Sequence, residues 1–132
     1  MPPFTELMFV AGGGAIGSVL RYWLAVGSIR WIGGTTLAGT LVANLVGCFA
    51  IGLLAGCVAA YPDWLSARNV VGIRVGLIGG LTTFSTFAAE SVTLAGQGRM
   101  SWMVAYVVAS VGLGLIAVWI GIAIAPGSGF KA

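Results

Sequence analysis

The chain contains no histidine, only three acidic residues and only two cysteines in 132 positions. Each scarcity excludes a class of chemistry. Zinc and haem sites draw on His, Cys and carboxylate ligands, and a Ser-His-Asp triad cannot be assembled without its imidazole. Proton-driven antiport needs a carboxylate or histidine relay near the membrane centre, and the acids here are Glu6, Asp63 and Glu90. Cys48 and Cys57 fall on one predicted helix, roughly 13 Å apart at about 1.5 Å per residue. A disulfide needs Cα atoms within about 7 Å, so these two read as small packing residues. Neither an enzyme activity nor a nucleic-acid partner is expected.

Charge is scarce as well. Charged residues make up 7% of the chain, against about 25% in soluble domains. Hydrophobic residues make up 59%, and the mean hydropathy is +1.07. That is the membrane class, and no segment is polar for long enough to form a water-soluble domain. A spanning helix needs roughly 20 mostly apolar residues, and four segments qualify: about 5–29, 36–60, 69–95 and 101–125. The expected fold is an all-α membrane protein, a single four-helix transmembrane domain over residues 1–132.

The breaks between spans carry turn residues: Gly33-Gly34, Pro62-Asp63, Gly-Gln-Gly-Arg-Met at 96–100, and Pro-Gly-Ser-Gly from Pro126. Trp31, Tyr61, Trp64 and Trp102 fall near predicted ends, as interfacial aromatics do. Residues 1–29 lack the basic start of a signal peptide, and their apolar run is too long for one. They read as a retained first helix.

The third span contains Gly-Gly-Leu-Thr-Thr-Phe-Ser-Thr-Phe at 79–87, where Leu81 is the single aliphatic residue. A lipid-facing helix has no use for two glycines and four hydroxyls. A helix broken at membrane depth is tolerated only where protein or a water-filled cavity satisfies the freed backbone, and in transporters such breaks mark ion or substrate sites. Gly79 and Gly80 permit unwinding. Unwound carbonyls can hold a small cation, while freed N–H groups or hydroxyls can hold an anion. Phe84 and Phe87 share a face through their i, i+3 spacing, and ring edges carry partial positive charge. The competing reading is a Gly/Thr-rich packing seam.

Other polar groups recur one turn apart. Thr40 and Asn44 lie on the second span, and an Asn amide supplies two donors. Helix–helix hydrogen bonding is the alternative use of Asn44. Tyr106 and Ser110 lie on the fourth span, their stripe continuing as Gly114 and Val118. Hydroxyls bonding their own backbone are the alternative there. Arg21 sits inside the first span and Glu90 follows the glycine-hydroxyl patch. Intramembrane ionisable groups are usually functional. Arg21 is read as drawing anions into a vestibule or as a snorkelling side chain, and Glu90 as a partner for Arg21 or Arg74. Donors and ring edges dominate, which favours a small anion over a cation.

Orientation signals balance. Arg68, Arg74 and Lys131 fall on one face of the membrane, and Arg21, Arg30 and Arg99 on the other. The positive-inside rule reads an asymmetry, and three against three offers none. Insertion both ways up, and hence an antiparallel pair of chains, is the expectation. Glycines spaced by four (Gly13 and Gly17, Gly52 and Gly56, and Gly72, Gly76 and Gly80) let helix backbones approach. Gly12, Gly14 and Gly17 match a dinucleotide-binding pattern, but no strand precedes them and no acid follows about 20 residues on.

Gly17-Ser-Val-Leu-Arg21, Gly39-Thr-Leu-Val-Ala-Asn44-Leu-Val-Gly47, and Gly79 to Phe87 followed by Ala-Ala-Glu90 resemble the Fluc (CrcB) family of fluoride channels. The likeness runs over nearly the whole chain, and the 79–87 string is highly specific. It implies an antiparallel, dual-topology homodimer with two fluoride pores in the bacterial inner membrane. It implies a structural Na⁺ at the dimer centre, held by main-chain carbonyls of Gly79 and Thr82. Asn44 would coordinate fluoride or orient the rings, Phe84 and Phe87 would form an aromatic box, and Thr40, Tyr106 and Ser110 would line a polar track. Thr83 and Arg21 complete the implied pathway, with Glu90 at a vestibule. The family often has a further hydroxyl one turn after Ser110, where this chain has Gly114. Two other classes compete with this reading: a proton-coupled small multidrug-type exporter, which needs a buried carboxylate in the first helix where only Glu6 stands at its edge, and a non-conducting assembly subunit, which leaves the interior polar residues without purpose.

Overall fold

A computed structural model describes residues 3–32 and 35–126. Lys131, Gly33, Gly34, the tail beyond Pro126 and the Trp31 side chain lie outside the described residues. The chain forms α1 (Phe4–Ile32), α2 (Thr36–Ala60), α3 (67–81), α4 (Phe84–Gly96) and α5 (Met100–Ile124). No strand occurs among the described residues. Among the described residues four spans are long and apolar enough to cross a membrane, and α3 with α4 makes up the third, Ala67–Gly96.

Local chemistry sets the ends. Glu6 lies in the first turn of α1 and Arg30 in its last, the signs that the helix dipole favours. Tyr61 ends α2 because it precedes Pro62, and a residue before proline is pushed out of the α region; its φ is −132°. The Ser66 hydroxyl accepts from the Asn69 amide to cap α3, the usual remedy for an orphaned N–H. Gly98, with φ at 72°, turns the chain from α4 into α5, a conformation costly for residues with a Cβ.

The helices pack through small residues rather than large ones. Alpha-helix α1 lies against α3: a Cβ at Gly17 would strike the Leu77 carbonyl, and one at Gly80 would meet the Gly14 carbonyl at 2.7 Å. A second seam joins α2 to α5, where a Cβ at Gly52 would strike the Val118 carbonyl and one at Gly121 the Phe49 carbonyl. Lipid tails are as apolar as leucine, so close backbone contact replaces hydrophobic burial as the source of helix association. Accordingly Trp119, Leu115 and Val108 stay exposed while Thr40 and Thr83 are buried.

The third span departs from the expected glycine-centred break in two ways. Gly72–Ile78 winds as a π-helix, and Gly79–Leu81 is helical, with Gly79 at φ −62° and ψ −37°. The chain opens instead at Thr82 (φ −87°, ψ 155°) and Thr83 (φ −149°, ψ 117°). Both are extended conformations that threonine favours. Gly80 is there for contact with α1, whereas a Cβ at Gly79 would meet only the Arg74 carbonyl of its own span, at 3.7 Å.

Candidate functional site

The break is held by a side chain from another span. Asn44 of α2 donates from Nδ2 to the Thr83 carbonyl at 3.1 Å and accepts the Thr83 N–H on Oδ1 at 2.8 Å. One amide thus satisfies both backbone groups of an extended residue that is 7% exposed. An orphaned buried N–H would cost about 1–3 kcal/mol. Helix-to-helix hydrogen bonding, one of the two readings of Asn44, is therefore what the amide does. A second Nδ2 hydrogen remains, since the group has two.

That tie frees carbonyls. In an unbroken helix the Thr83 N–H would serve the Gly79 carbonyl and the Thr86 N–H the Thr82 carbonyl. Here the first goes to Asn44 and the second to the Thr83 hydroxyl at 3.2 Å. Gly79 and Thr82 lose their helical donors together. Carbonyls released in this way are the ligand type that broken membrane helices offer Na⁺. Among the described residues no cluster of His, Cys, Asp or Glu offers a metal site instead.

Beyond the break, α4 starts with Thr83 as its cap. The Thr83 hydroxyl also bonds Thr86 Oγ1 at 3.0 Å and shares a hydrogen bond with Ser85 Oγ at 3.2 Å. Thr82 takes no part, as its hydroxyl returns to the Ile78 carbonyl at 3.0 Å. Phe84 and Phe87 follow on one face, ring centroids 5.8 Å apart and tilted by 51°. Phe87 in turn sits 5.4 Å from the Tyr106 ring of α5. Phe84 is 79% exposed and projects away from its own chain.

Glu90 joins three spans and pairs with neither arginine. Thr40 donates to its Oε1 at 3.1 Å and Tyr106 to its Oε2 at 2.8 Å. The expected pairing with Arg21 or Arg74 is thereby corrected: two hydroxyls supply the hydrogen bonds that a half-buried carboxylate requires. The Tyr106 hydroxyl reaches across to α4 and leaves its own backbone alone. Ser110, one turn on, has its Oγ buried without a hydrogen-bond partner. Past Ser110 the stripe ends, because Gly114 is buried and a Cβ there would touch Cys48 Sγ at 3.4 Å.

A cavity of about 420 Å³ runs along this surface, lined by Asn44, Cys48, Arg74, Gly79, Thr82, Thr83, Phe84, Phe87 and Ser110. Arg21 lies elsewhere, in a cavity of about 250 Å³ with Ser18, Thr40, Thr83 and Thr86. The structure thus brings Asn44, Thr83, Phe84, Phe87 and Ser110 to one wall, ties Thr40, Tyr106 and Glu90 into one network, and keeps Arg21 apart from the rings. The roles of Ser85 and Thr86 escaped sequence reasoning, whereas Cys48, read as a small packing residue, stands against Gly114. Thr86 had a signal, its place three residues after a threonine able to cap a helix.

The family model for CrcB-like protein, Camphor Resistance (CrcB), matches residues 8–122. The chain belongs to the CrcB-like family. A protein of Allorhizobium ampelinum named fluoride-specific ion channel FluC is 44% identical over 119 residues, covering 90% of this chain and 94% of that protein. Proteins of the same name from Rhizobium johnstonii and Rhodospirillum rubrum are 40% and 43% identical over 119 and 120 residues. They cover 90% and 86% of this chain, and 94% and 89% of their own lengths. Four membrane-capable helices in a chain of this family make it a multi-pass membrane protein.

Proposed function

We infer that this CrcB-like chain is a subunit of a fluoride-selective ion channel and has no catalytic activity. The observation that carries the reading is the set of unfilled donors on one wall. The Ser110 hydroxyl is buried without a partner, Asn44 keeps a spare N–H, and two tilted phenyl rings stand beside them. All are neutral. Fluoride is small and strongly hydrated, so a path must replace its water with dense donors, yet a full positive charge at the narrowest point would trap it. The curated relatives carry the name of a fluoride-specific channel. An exporter driven by protons has less support, because Glu6 lies in the first turn of α1 and no acid stands deeper in that helix.

On this reading fluoride passes from Asn44 along Phe84 and Phe87 to Ser110. The Thr40–Glu90–Tyr106 network borders that line, and Thr83 holds the wall in place. Arg21 acts at a distance from the rings. HF crosses membranes uncharged and dissociates in a neutral cytoplasm. A passive pore in the bacterial inner membrane then suffices for export, because an inside-negative potential contributes about 2.3 kcal/mol per 100 mV for each anion expelled.

An antiparallel homodimer is part of the proposal. Its support is the balanced count of basic residues, three against three, and the exposed Phe84, which among the described residues has no partner ring but Phe87. A Na⁺ at the dimer centre is the group that the Gly79 and Thr82 carbonyls would hold; bound there, it would neutralise carbonyl dipoles and fix the break.

Reconstitution of the pure protein in liposomes, with efflux followed by a fluoride electrode, tests the reading. Fast F⁻ efflux with Cl⁻ retained is expected. No efflux, or equal rates for the two halides, would refute it.

A further inference from the structure

Arg74 is the one formal charge lining the 420 Å³ cavity, and nothing described so far employs it. It stands eight residues before Thr82, on the order of 10 Å along the span at about 1.5 Å per residue. That is close enough to matter to an ion at the break and far enough not to touch it there. Glu90, the obvious counter-ion, already has both carboxylate oxygens engaged by Thr40 and Tyr106. Among the described residues no carboxylate pairs with Arg74, and the residue is exposed.

The cavities locate it further. A second cavity of about 200 Å³ is lined by Ile51, Leu54, Ala55, Val58, Val70 and Arg74. Val58 lies near the end of α2 and Val70 near the start of α3, so this groove leads towards the 61–66 connection at the membrane surface. Arg74 and Ile51 are the residues common to both. The two cavities therefore meet at Arg74 and Ile51. One side leads to Asn44 and Ser110, the other to the end of the span.

We propose that Arg74 is a further residue of the anion path, a charged gatepost at the outer end of the neutral wall that concentrates fluoride before it loses its water. The proposal rests on the channel reading above. A cation in a groove with low-dielectric walls raises the local concentration of anions and their rate of entry, roughly 10- to 1000-fold in favourable cases, and salt removes the effect. Set back from the rings, the guanidinium attracts the ion without binding it at the selective step. A snorkelling arginine that only anchors α3 at the interface would have no such dependence on salt.

Single-channel conductance in planar bilayers distinguishes these. F⁻ is held constant while an impermeant potassium salt brings the ionic strength from about 10 mM to about 1 M, which shortens the screening length from about 30 Å to about 3 Å. Arg74→Gln should lower conductance several-fold at low ionic strength and by less than about twofold at high. Arg74→Glu should lower it more, and Arg74→Lys should stay near the parent. Rejection of Cl⁻ should be unchanged throughout. Conductance is read from individual open channels, so a variant that folds poorly yields fewer channels and not smaller ones. Unaltered conductance of Arg74→Gln and Arg74→Glu at low salt would overturn the proposal, as would an equal fractional loss at both salts. The parent channel's own F⁻ current, recorded alongside, separates failure of this inference from failure of the channel reading.

Discussion

The two halves of the third span differ in how they are held. Before the break, residues 67–81 are glycine-rich and meet α1 backbone to backbone: Gly76 and Gly80 lie where a side chain would strike Val10 or Gly14. After it, Phe84–Gly96 is anchored by side chains, with Thr83 bonded to Asn44 and Glu90 to Thr40 and Tyr106. The first half is fixed by shape and has no slack for a larger residue at Gly76 or Gly80. The second half is fixed by donors and acceptors, and these can be removed singly without a steric clash. Close backbone packing thus gives way to side-chain hydrogen bonding at Thr82, within one continuous span.

This contrast can be broken at its strongest point first. Gly17→Val should abolish the folded protein, because the new side chain meets the Leu77 carbonyl and the Leu81 N–H and neither belongs to a movable side chain. Loss of the monodisperse peak in detergent gel filtration is the expected result; a normal peak would show that the α1–α3 seam yields. Phe84→Ile should behave oppositely. The ring is 79% exposed within the chain, so the subunit should fold, while F⁻ flux should fall at least tenfold in liposomes. A variant with parental flux would remove Phe84 from the path.

Asn44→Ala should combine both effects. Removing the amide strands the Thr83 N–H and carbonyl, costing about 1–3 kcal/mol for each unsatisfied group. A lower thermal midpoint in detergent is expected, together with strongly reduced F⁻ flux. Full stability in this variant would mean that the break is held by something other than Asn44. The smallest effect is expected for Tyr106→Phe, which keeps the ring beside Phe87 and deletes one hydrogen bond to Glu90. Such bonds in membrane proteins average about 0.6 kcal/mol. The thermal midpoint should hardly change, and conductance should drop a few-fold. A large destabilisation would move Tyr106 from the second kind of anchoring to the first.

The four spans were legible because hydropathy over some 20 residues is an additive signal that tertiary packing seldom reverses. The existence of the break was legible too, since glycines and hydroxyls had displaced leucine at 79–87. Its position was not. Glycine permits unwinding but does not require it, and at Gly80 the close approach of α1 claims the missing side chain. The pair of hydrogen bonds with Asn44, 39 residues away in sequence, holds the chain open at Thr83. The π-helix at Gly72–Ile78 left no trace in composition. Of the polar residues, Asn44, Phe84, Phe87 and Ser110 share one cavity wall. Glu90 defeated sequence reasoning because charge alone nominates an arginine partner, whereas the fold offers it two hydroxyls.

The Asn44 amide presents to Thr83 a donor and an acceptor side by side, as a neighbouring strand would. It acts as a borrowed peptide unit that completes one rung of a ladder in the middle of a helical bundle. A rung of that kind has register. If α2 slid past the third span by a single residue, both bonds would part together, and no second amide lies within a turn to replace them. The pair therefore works as a latch against sliding, and it sets the height at which the break, the freed carbonyls and the rings all stand in the membrane.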